Sequence, residues 1–316
     1  MTATATSHPP SRMSAPTRGT GGVRIRAWLR GPTPWLLPSM FVLILISLYP
    51  QLRALLNAFR LYNLSIAPDP LRYVGLRNFA YAFRDDQVLG ALSHTLLFSV
   101  VTTAVELVLG FAIAVLLNQK LRGVRLARSL IILPTAIAPA VAGLAFRYFY
   151  QTDGIVPALL QGIGITPPET GILGDTHTAL AGIMVTEVWQ WTPFATLIFL
   201  AALQGVPQEV VEAARVDGAS RWRTTVSVVL PLMRTVLVTV ALLRFLATFN
   251  IFDIIYVQTQ GGPGDATTTL GLTIFYDGLT YYNIGYASAL TWLITLFIAV
   301  LISVYLATAG RKGRSL

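Results

Sequence analysis

The sequence predicts an all-α membrane protein with six transmembrane helices, and three observations carry that prediction. Of its 316 residues 54% are hydrophobic and only 12% charged, with a mean hydropathy of +0.64, too apolar for a soluble chain of this length. Six apolar runs, at 35–57, 93–117, 126–149, 178–203, 233–257 and 284–308, are long enough for the roughly 20 helical residues that cross a bilayer. The connections between them alternate in charge. An even number of spans places both termini on one side.

The basic residues say which side. Sixteen of the 23 Lys and Arg residues share one face: Arg12, Arg18, Arg24, Arg26 and Arg30 before the first run; Lys120, Arg122, Arg125 and Arg128; Arg215, Arg221, Arg223 and Arg234; and Arg311, Lys312 and Arg314. The opposite connections, 150–177 and 258–283, hold no Lys or Arg and five acids, Asp153, Glu169, Asp175, Asp265 and Asp277. By the positive-inside rule the first face is cytoplasmic. The net charge of +9 is therefore topology and not a nucleic-acid footprint. Connection 58–92 should be external, and its mixed charge (Arg60, Arg72, Arg77 and Arg84 against Asp69, Asp85 and Asp86) predicts a folded surface segment.

Residues 1–34, rich in Ser, Thr, Pro, Gly and Arg without apolar periodicity, read as a disordered basic tail. The run from Trp35 is too long for a typical signal core and lacks a small-residue cleavage site, so it is expected to stay as the first span. Polar groups inside spans cost about 2.5 to 3.5 kcal/mol each at mid-bilayer, so each needs a partner or a wet cavity. Glu106, in span two, and Arg244, in span five, lie at similar depth and read as a structural ion pair. In span three, Pro134 and Pro139 predict an irregular helix, and Phe146-Arg147-Tyr148-Phe149-Tyr150 reads as an interface belt from which Arg147 snorkels. Span four carries Glu187-Val188-Trp189-Gln190-Trp191-Thr192-Pro193-Phe194. Pro193 frees a backbone carbonyl and would bend the helix toward a cavity, which makes Glu187 and Trp189 substrate-path candidates; the tryptophans serve equally well as packing.

Span five carries a second polar face. Phe249, Asp253 and Tyr256 recur at helical spacing with Asn250 beside them, setting rings, an amide and a carboxylate together. A sugar suits that combination, since its hydroxyls need donors and acceptors while its ring face stacks on aromatics. Packing against a neighbouring subunit explains the same pattern. The chain has no cysteine, and its histidines (His8, His94, His177) are scattered, so no metal or catalytic constellation is expected. Its only lysines, Lys120 after Gln119 and Lys312 after Arg311, cannot complete a phosphate-binding Gly-Lys-Ser/Thr loop. Any ATP and Mg must act in another subunit, leaving this chain without a cofactor or enzyme activity of its own.

Between spans four and five a polar island, 205–232, reads as a helix-turn-helix on the cytoplasmic face. Pro207 suits a first helical turn, Gly218 the left-handed position that ends a helix, and Ser220 the cap of a second short helix reaching Leu230, which Pro231 separates from span five. An interfacial amphipathic hairpin without a partner has the same composition. The spacing says more. Glu212-Ala213-Ala214, three residues, Asp217's neighbour Gly218, nine residues, then Val228-Val229-Leu230-Pro231 resembles the EAA loop of ATP-binding-cassette (ABC) importer permeases, with Val228 replacing an isoleucine.

Phe252-Asp253 through Gly261-Gly262-Pro263 and on to Thr267–Thr269 is similar to a stretch of carbohydrate-importer permeases, in particular the first permease of maltose-type and glycerol-phosphate-type systems. The resemblance implies a type I importer transmembrane domain over 35–309, with a basic end at 310–316, in a bacterial-type cytoplasmic membrane. It implies as partners a second homologous permease, two ATPase subunits, an external substrate-binding protein and a carbohydrate. Glu212, Ala213, Ala214, Asp217 and Gly218 would then couple the spans to the ATPase. An ion-coupled secondary transporter, using Glu106, Glu187 and Asp253, is the rival from another class; a membrane enzyme acting on lipid-linked sugars would need paired catalytic carboxylates that the sequence does not display.

Overall fold

The computed structural model describes residues 33–119 and 122–312. Residues 1–32 of the expected tail, Lys120, and 313–316 of the basic end lie outside the described residues. The chain divides into two compact units, one up to Arg53 and one from Ala54. In the first, the described residues run from Thr33 to Arg53 in helix α1 (Thr33–Ala58), which carries Pro38 and Pro50 within it. The Ser39 hydroxyl donates to the Leu36 carbonyl at 2.8 Å.

The second unit opens with a small clasp. Strands β1 (Arg60–Leu61) and β2 (Arg72–Tyr73) pair antiparallel, Arg60 opposite Tyr73, and lead to α2 (Arg77–Ala82). The Asn78 amide donates to the carbonyls of Ala58 and Arg60 at 2.8 and 3.0 Å. A Cβ at Gly285 would lie 2.4 Å from the Arg60 carbonyl, so glycine alone lets this backbone dock there. The segment 58–92 is thus folded, as its mixed charge predicts.

The long helices follow: α3 (Asp86–Leu117), the short α4 (Val124–Ile131), α5 (Leu133–Ala136), α6 (Pro139–Phe149) and α7 (Ile155–Gly162), then α8 (Ala179–Gln204). After these come α9 (Gln208–Val216), α10 (Arg221–Thr224), a π-helical turn at Thr225–Val229, α11 (Leu230–Leu232), α12 (Arg234–Phe249) and α13 (Asp253–Gln258). The chain closes with α14 (Leu270–Phe275), a second π turn at Tyr276–Thr280, and α15 (Ile284–Lys312). Among the described residues four helices, α1, α3, α8 and α15, are single elements long and apolar enough to cross a bilayer. Two further candidates are bent: α4–α5 meets α6 at 95°, and α10–α11 meets α12 at 72°. The first bend falls where Pro139 begins a new helix after extended residues Ile137 and Ala138, as two prolines in that run predict. Pro193, by contrast, lies inside an uninterrupted α8.

The core is built around α3 and α8. A Cβ at Gly110 would approach the Ala195 Cβ to 2.8 Å, so glycine lets the two backbones close, the usual device in membranes, where small residues replace hydrophobic drive. One cluster joins Ala114, Phe199, Leu203, Val229 and Val240. A second joins Val88, Phe249, Leu270, Tyr286 and Leu290. The buried hydroxyls of Thr95 and Thr102 are satisfied within their own helix, donating to the carbonyls of Ala91 and Phe98 at 2.7 and 2.6 Å, a local partner that serves where water is scarce.

At one rim of the unit, Tyr286 donates to Asp85 Oδ2 at 2.8 Å, and burial, reinforced by the Asp85 charge, raises the Asp277 pKa from 3.8 to about 6. An acid held protonated by the fold contributes stability below its ordinary pKa and loses it as pH rises through the raised value. The thermal midpoint of the assembled protein is therefore expected to fall between about pH 4 and pH 6, and Asp277→Asn to flatten that fall. An unchanged slope in the variant would assign the pH dependence elsewhere.

Candidate functional site

The polar island folds as a hairpin whose base is packed and whose tip is bare. α9 ends with the Gly218 amide donating to the Arg215 carbonyl and the Ala219 amide to the Ala214 carbonyl, both at 3.0 Å, around a Gly218 φ of +80°. That double closure needs a left-handed residue, which costs glycine nothing. The Ser220 side chain then accepts from the Arg223 amide and caps α10. Val211, Val206, Val229 and Met233 pack into the cluster shared with α3 and α8. Glu212, Ala213 and Asp217 face outward, and so do Val216 and Trp222, 87% and 77% exposed. These two apolar side chains at the tip were unread from the sequence.

One expectation about this hairpin is corrected. The second helix does not stop at Pro231; the chain runs through the π turn and α11, and the break comes at Met233. The π turn at Thr225–Val229 lies directly before Leu230-Pro231, so the hydrogen-bond ladder is already shifted where the proline withholds its amide.

Two carboxylates from separate helices, Glu106 and Glu187, converge on Arg244. Its Nε donates to Glu106 Oε2 at 2.6 Å and its Nη2 to Glu106 Oε1 at 2.9 Å, a bidentate pair between α12 and α3. Nη2 also reaches Glu187 Oε1 on α8 at 2.7 Å. The guanidinium carbon lies 4.7 Å from the ring centre of Trp191. All three charged residues are at least 96% buried, so the network welds three helices. Glu187, expected on a substrate path, is instead turned inward to this cation. Trp189, its companion candidate, is 40% exposed and packs on Phe146 with ring centres 5.1 Å apart.

Span five, expected as one helix to residue 257, breaks between α12 and α13. Phe249, Asp253 and Tyr256 therefore do not share a helical face. Phe249 is 2% exposed and stacks on Phe297 at 5.0 Å, which makes it a core residue. Asn250 is exposed and donates to the Leu246 carbonyl at 2.9 Å, closing the end of α12. Asp253 opens α13, exposed, while Tyr256 stacks on Phe252 with ring centres 5.3 Å apart. Thr269 holds the break by donating to the Ile251 carbonyl at 3.3 Å.

The turn after α13 explains its threonines. Thr267 donates to the Gly262 carbonyl at 2.9 Å and Thr268 to the Gly261 carbonyl at 3.3 Å, and a Cβ at Gly261 would lie 2.6 Å from Thr268 Oγ1. Of the aromatic cluster read as a belt, Tyr150 is instead buried, its hydroxyl donating to the Gly182 carbonyl at 2.8 Å. Arg147 donates to the Val257 carbonyl at 3.2 Å.

This architecture has relatives. Residues 106–311 match the family described as binding-protein-dependent transport system inner membrane component. The chain is 37% identical over 227 residues to the trehalose/maltose transport system permease protein MalF of Thermococcus litoralis, covering 71% of this chain and 76% of that protein. It is 31% identical over 274 residues to the trehalose transport system permease protein SugA of Mycobacterium tuberculosis, covering 86% of each. A solved structure of a bacterial alginate ABC transporter superposes with a TM-score of 0.75 at 21% identity, over 91% of this chain and 98% of that one, a likeness of fold. The chain belongs to the inner membrane component family of binding-protein-dependent transport systems, and is a permease subunit of an ABC importer.

Proposed function

We propose that this permease forms half of the translocation pathway for a sugar or sugar-like solute. It pairs with a second homologous permease, two ATPase subunits and an external substrate-binding protein. The single observation that carries the coupling part is the hairpin: a bare tip of Glu212, Val216, Asp217 and Trp222 on a base packed against α3 and α8. A rigid hairpin transmits motion. Seated in a cleft of an ATPase on the cytoplasmic side, it would tilt the spans between inward-open and outward-open states as ATP closes the ATPase pair. In this reading the chain has six spans, the two bent helix pairs each counting as one, with both termini and the hairpin in the cytoplasm. Ala213 and Ala214 allow close approach, and Gly218 makes the turn.

The carbohydrate reading draws on the names of the relatives and on the exposed chemistry at the break in span five, where Asn250 and Asp253 lie beside the stacked Phe252 and Tyr256. The ion-coupled alternative gains no support, since Glu106 and Glu187 are both held by Arg244. Asp253→Ala and Tyr256→Ala are expected to lower uptake about fivefold each, the loss of one hydrogen bond or one stacking surface, with assembly and basal ATP hydrolysis retained. The check is sugar-stimulated ATPase activity of the purified complex across a panel of sugars. Normal transport with loss of the second permease on purification would make this face a subunit interface.

A further inference from the structure

The corner between α3 and α4 carries arginines and exposed leucines that no contact within the described residues explains. Arg128 fixes the depth of the corner, its Nη2 donating at 2.9 Å to the carbonyl of Leu117, the last residue of α3. At the far end of the same segment the Gln190 amide, near the middle of α8, donates to the Ile137 carbonyl at 2.8 Å. Residues 124–137 therefore descend from the end of α3 to the mid-depth of α8. On the topology proposed above, that descent crosses the cytoplasmic leaflet, and the corner sits at its headgroups.

The segment has two faces. Val124 and Ile131 pack into the cluster shared by α3, α8 and the hairpin base. Leu126, Leu130 and Leu133, at i, i+4 and i+7, share the opposite face, and each is more than half exposed. At the head of this leucine strip Arg122 and Arg125 are exposed, and among the described residues neither makes an ion pair. No Asp or Glu occurs between Glu106 and Asp153, so the neighbouring chain supplies no counter-ion.

We propose that this corner binds an anionic phospholipid of the cytoplasmic leaflet, with its phosphate on Arg122 and Arg125 and an acyl chain along Leu126, Leu130 and Leu133. A phosphate supplies the acceptors that two guanidiniums lack, and an acyl chain covers leucines that a free phosphate would leave bare. Arginines at this level are also drawn to the negative surface of that leaflet. Because Val124 and Ile131 pack into the same cluster as Val211 and Val229 of the hairpin, a lipid held on α4 bears on the base of the coupling element. Solute-stimulated ATP hydrolysis is therefore expected to run faster in bilayers that contain anionic lipid. The site rests on the cytoplasmic placement in the functional reading above, not on the identity of the solute.

The test compares the full importer complex with its Arg122→Gln/Arg125→Gln and Arg122→Lys/Arg125→Lys variants in micelles doped with phosphatidylglycerol or phosphatidylcholine, counting bound lipid by native mass spectrometry. The parent and the lysine variant should retain phosphatidylglycerol in preference to phosphatidylcholine. The glutamine variant should bind phosphatidylglycerol about thirtyfold more weakly, the loss of two arginines near a charged surface. Equal retention of the two lipids by the parent, or phosphatidylglycerol binding unchanged in the glutamine variant, overturns the site. Release of the second permease or the ATPase from the glutamine variant overturns it in favour of a protein interface. The chain contains no cysteine, so Gln119→Cys gives it a single thiol at the exposed end of α3, which a membrane-impermeant maleimide should reach in inverted vesicles. Labelling in right-side-out vesicles instead overturns the cytoplasmic placement and the lipid site with it, whereas labelling on the expected side without a lipid preference overturns the site alone.

Discussion

Replacing Arg244 with glutamine is expected to destabilise the protein by roughly 3 to 5 kcal/mol, the cost of removing one partner from a buried ion pair. Here the cost sits at the upper end, because two carboxylates lose the cation they share. Glu106 is 0% and Glu187 4% exposed, so neither has water to turn to, and their charges then repel. Glu106→Gln should cost less than Arg244→Gln, since Arg244 retains Glu187 at 2.7 Å. Glu187→Gln should cost least, because the bidentate contact with Glu106 survives. The double variant Glu106→Gln/Arg244→Gln should recover part of the summed loss. Thermal unfolding of the purified complex measures each step, and strictly additive losses would remove the coupling. The ring of Trp191, 4.7 Å from the guanidinium carbon, should add a smaller contribution of about 1 kcal/mol, lost in Trp191→Leu.

The second large effect is expected at the hairpin. Gly218 sits at φ +80° and donates its amide to Arg215. Proline locks φ near −65° and has no amide hydrogen, so Gly218→Pro should abolish the turn and with it transport. Glu212→Lys leaves the core untouched, since Glu212 is exposed, and should break coupling through charge reversal. Trp222→Ala is the most diagnostic. A tryptophan 77% exposed contributes little to folding of the free chain, whereas a tryptophan anchor in an interface is worth about 2 kcal/mol or more. Its loss should weaken capture of the ATPase roughly thirtyfold with insertion unchanged. Full ATPase recovery and uptake in all three variants would refute docking at this surface.

Membrane class, the apolar runs and the hairpin were legible in the linear sequence because each follows from local physics. A run of some 20 apolar residues has no stable place but a bilayer or a large core. A glycine preceded by a helical pattern and followed by a serine cap defines a turn by backbone sterics and hydrogen bonding alone. Glu106 and Arg244 were recognisable as partners because opposite charges at matching depth have to neutralise each other. The third member was not, since Glu187 reaches Arg244 only when α8 takes up a particular rotation against α3, set by contacts such as Gly110 on Ala195. The break in span five was equally invisible. No proline or glycine interrupts Phe249-Asn250-Ile251-Phe252, so helical periodicity ran straight through it. What opens the helix there is remote in sequence: the Thr269 hydroxyl on the Ile251 carbonyl, and Gly271, where a Cβ would approach that carbonyl to 2.8 Å. Local propensity therefore determined which segments are helices and where the hairpin turns, while tertiary packing alone decided which polar side chains face each other, because side-chain direction depends on helix rotation and on breaks imposed by distant residues.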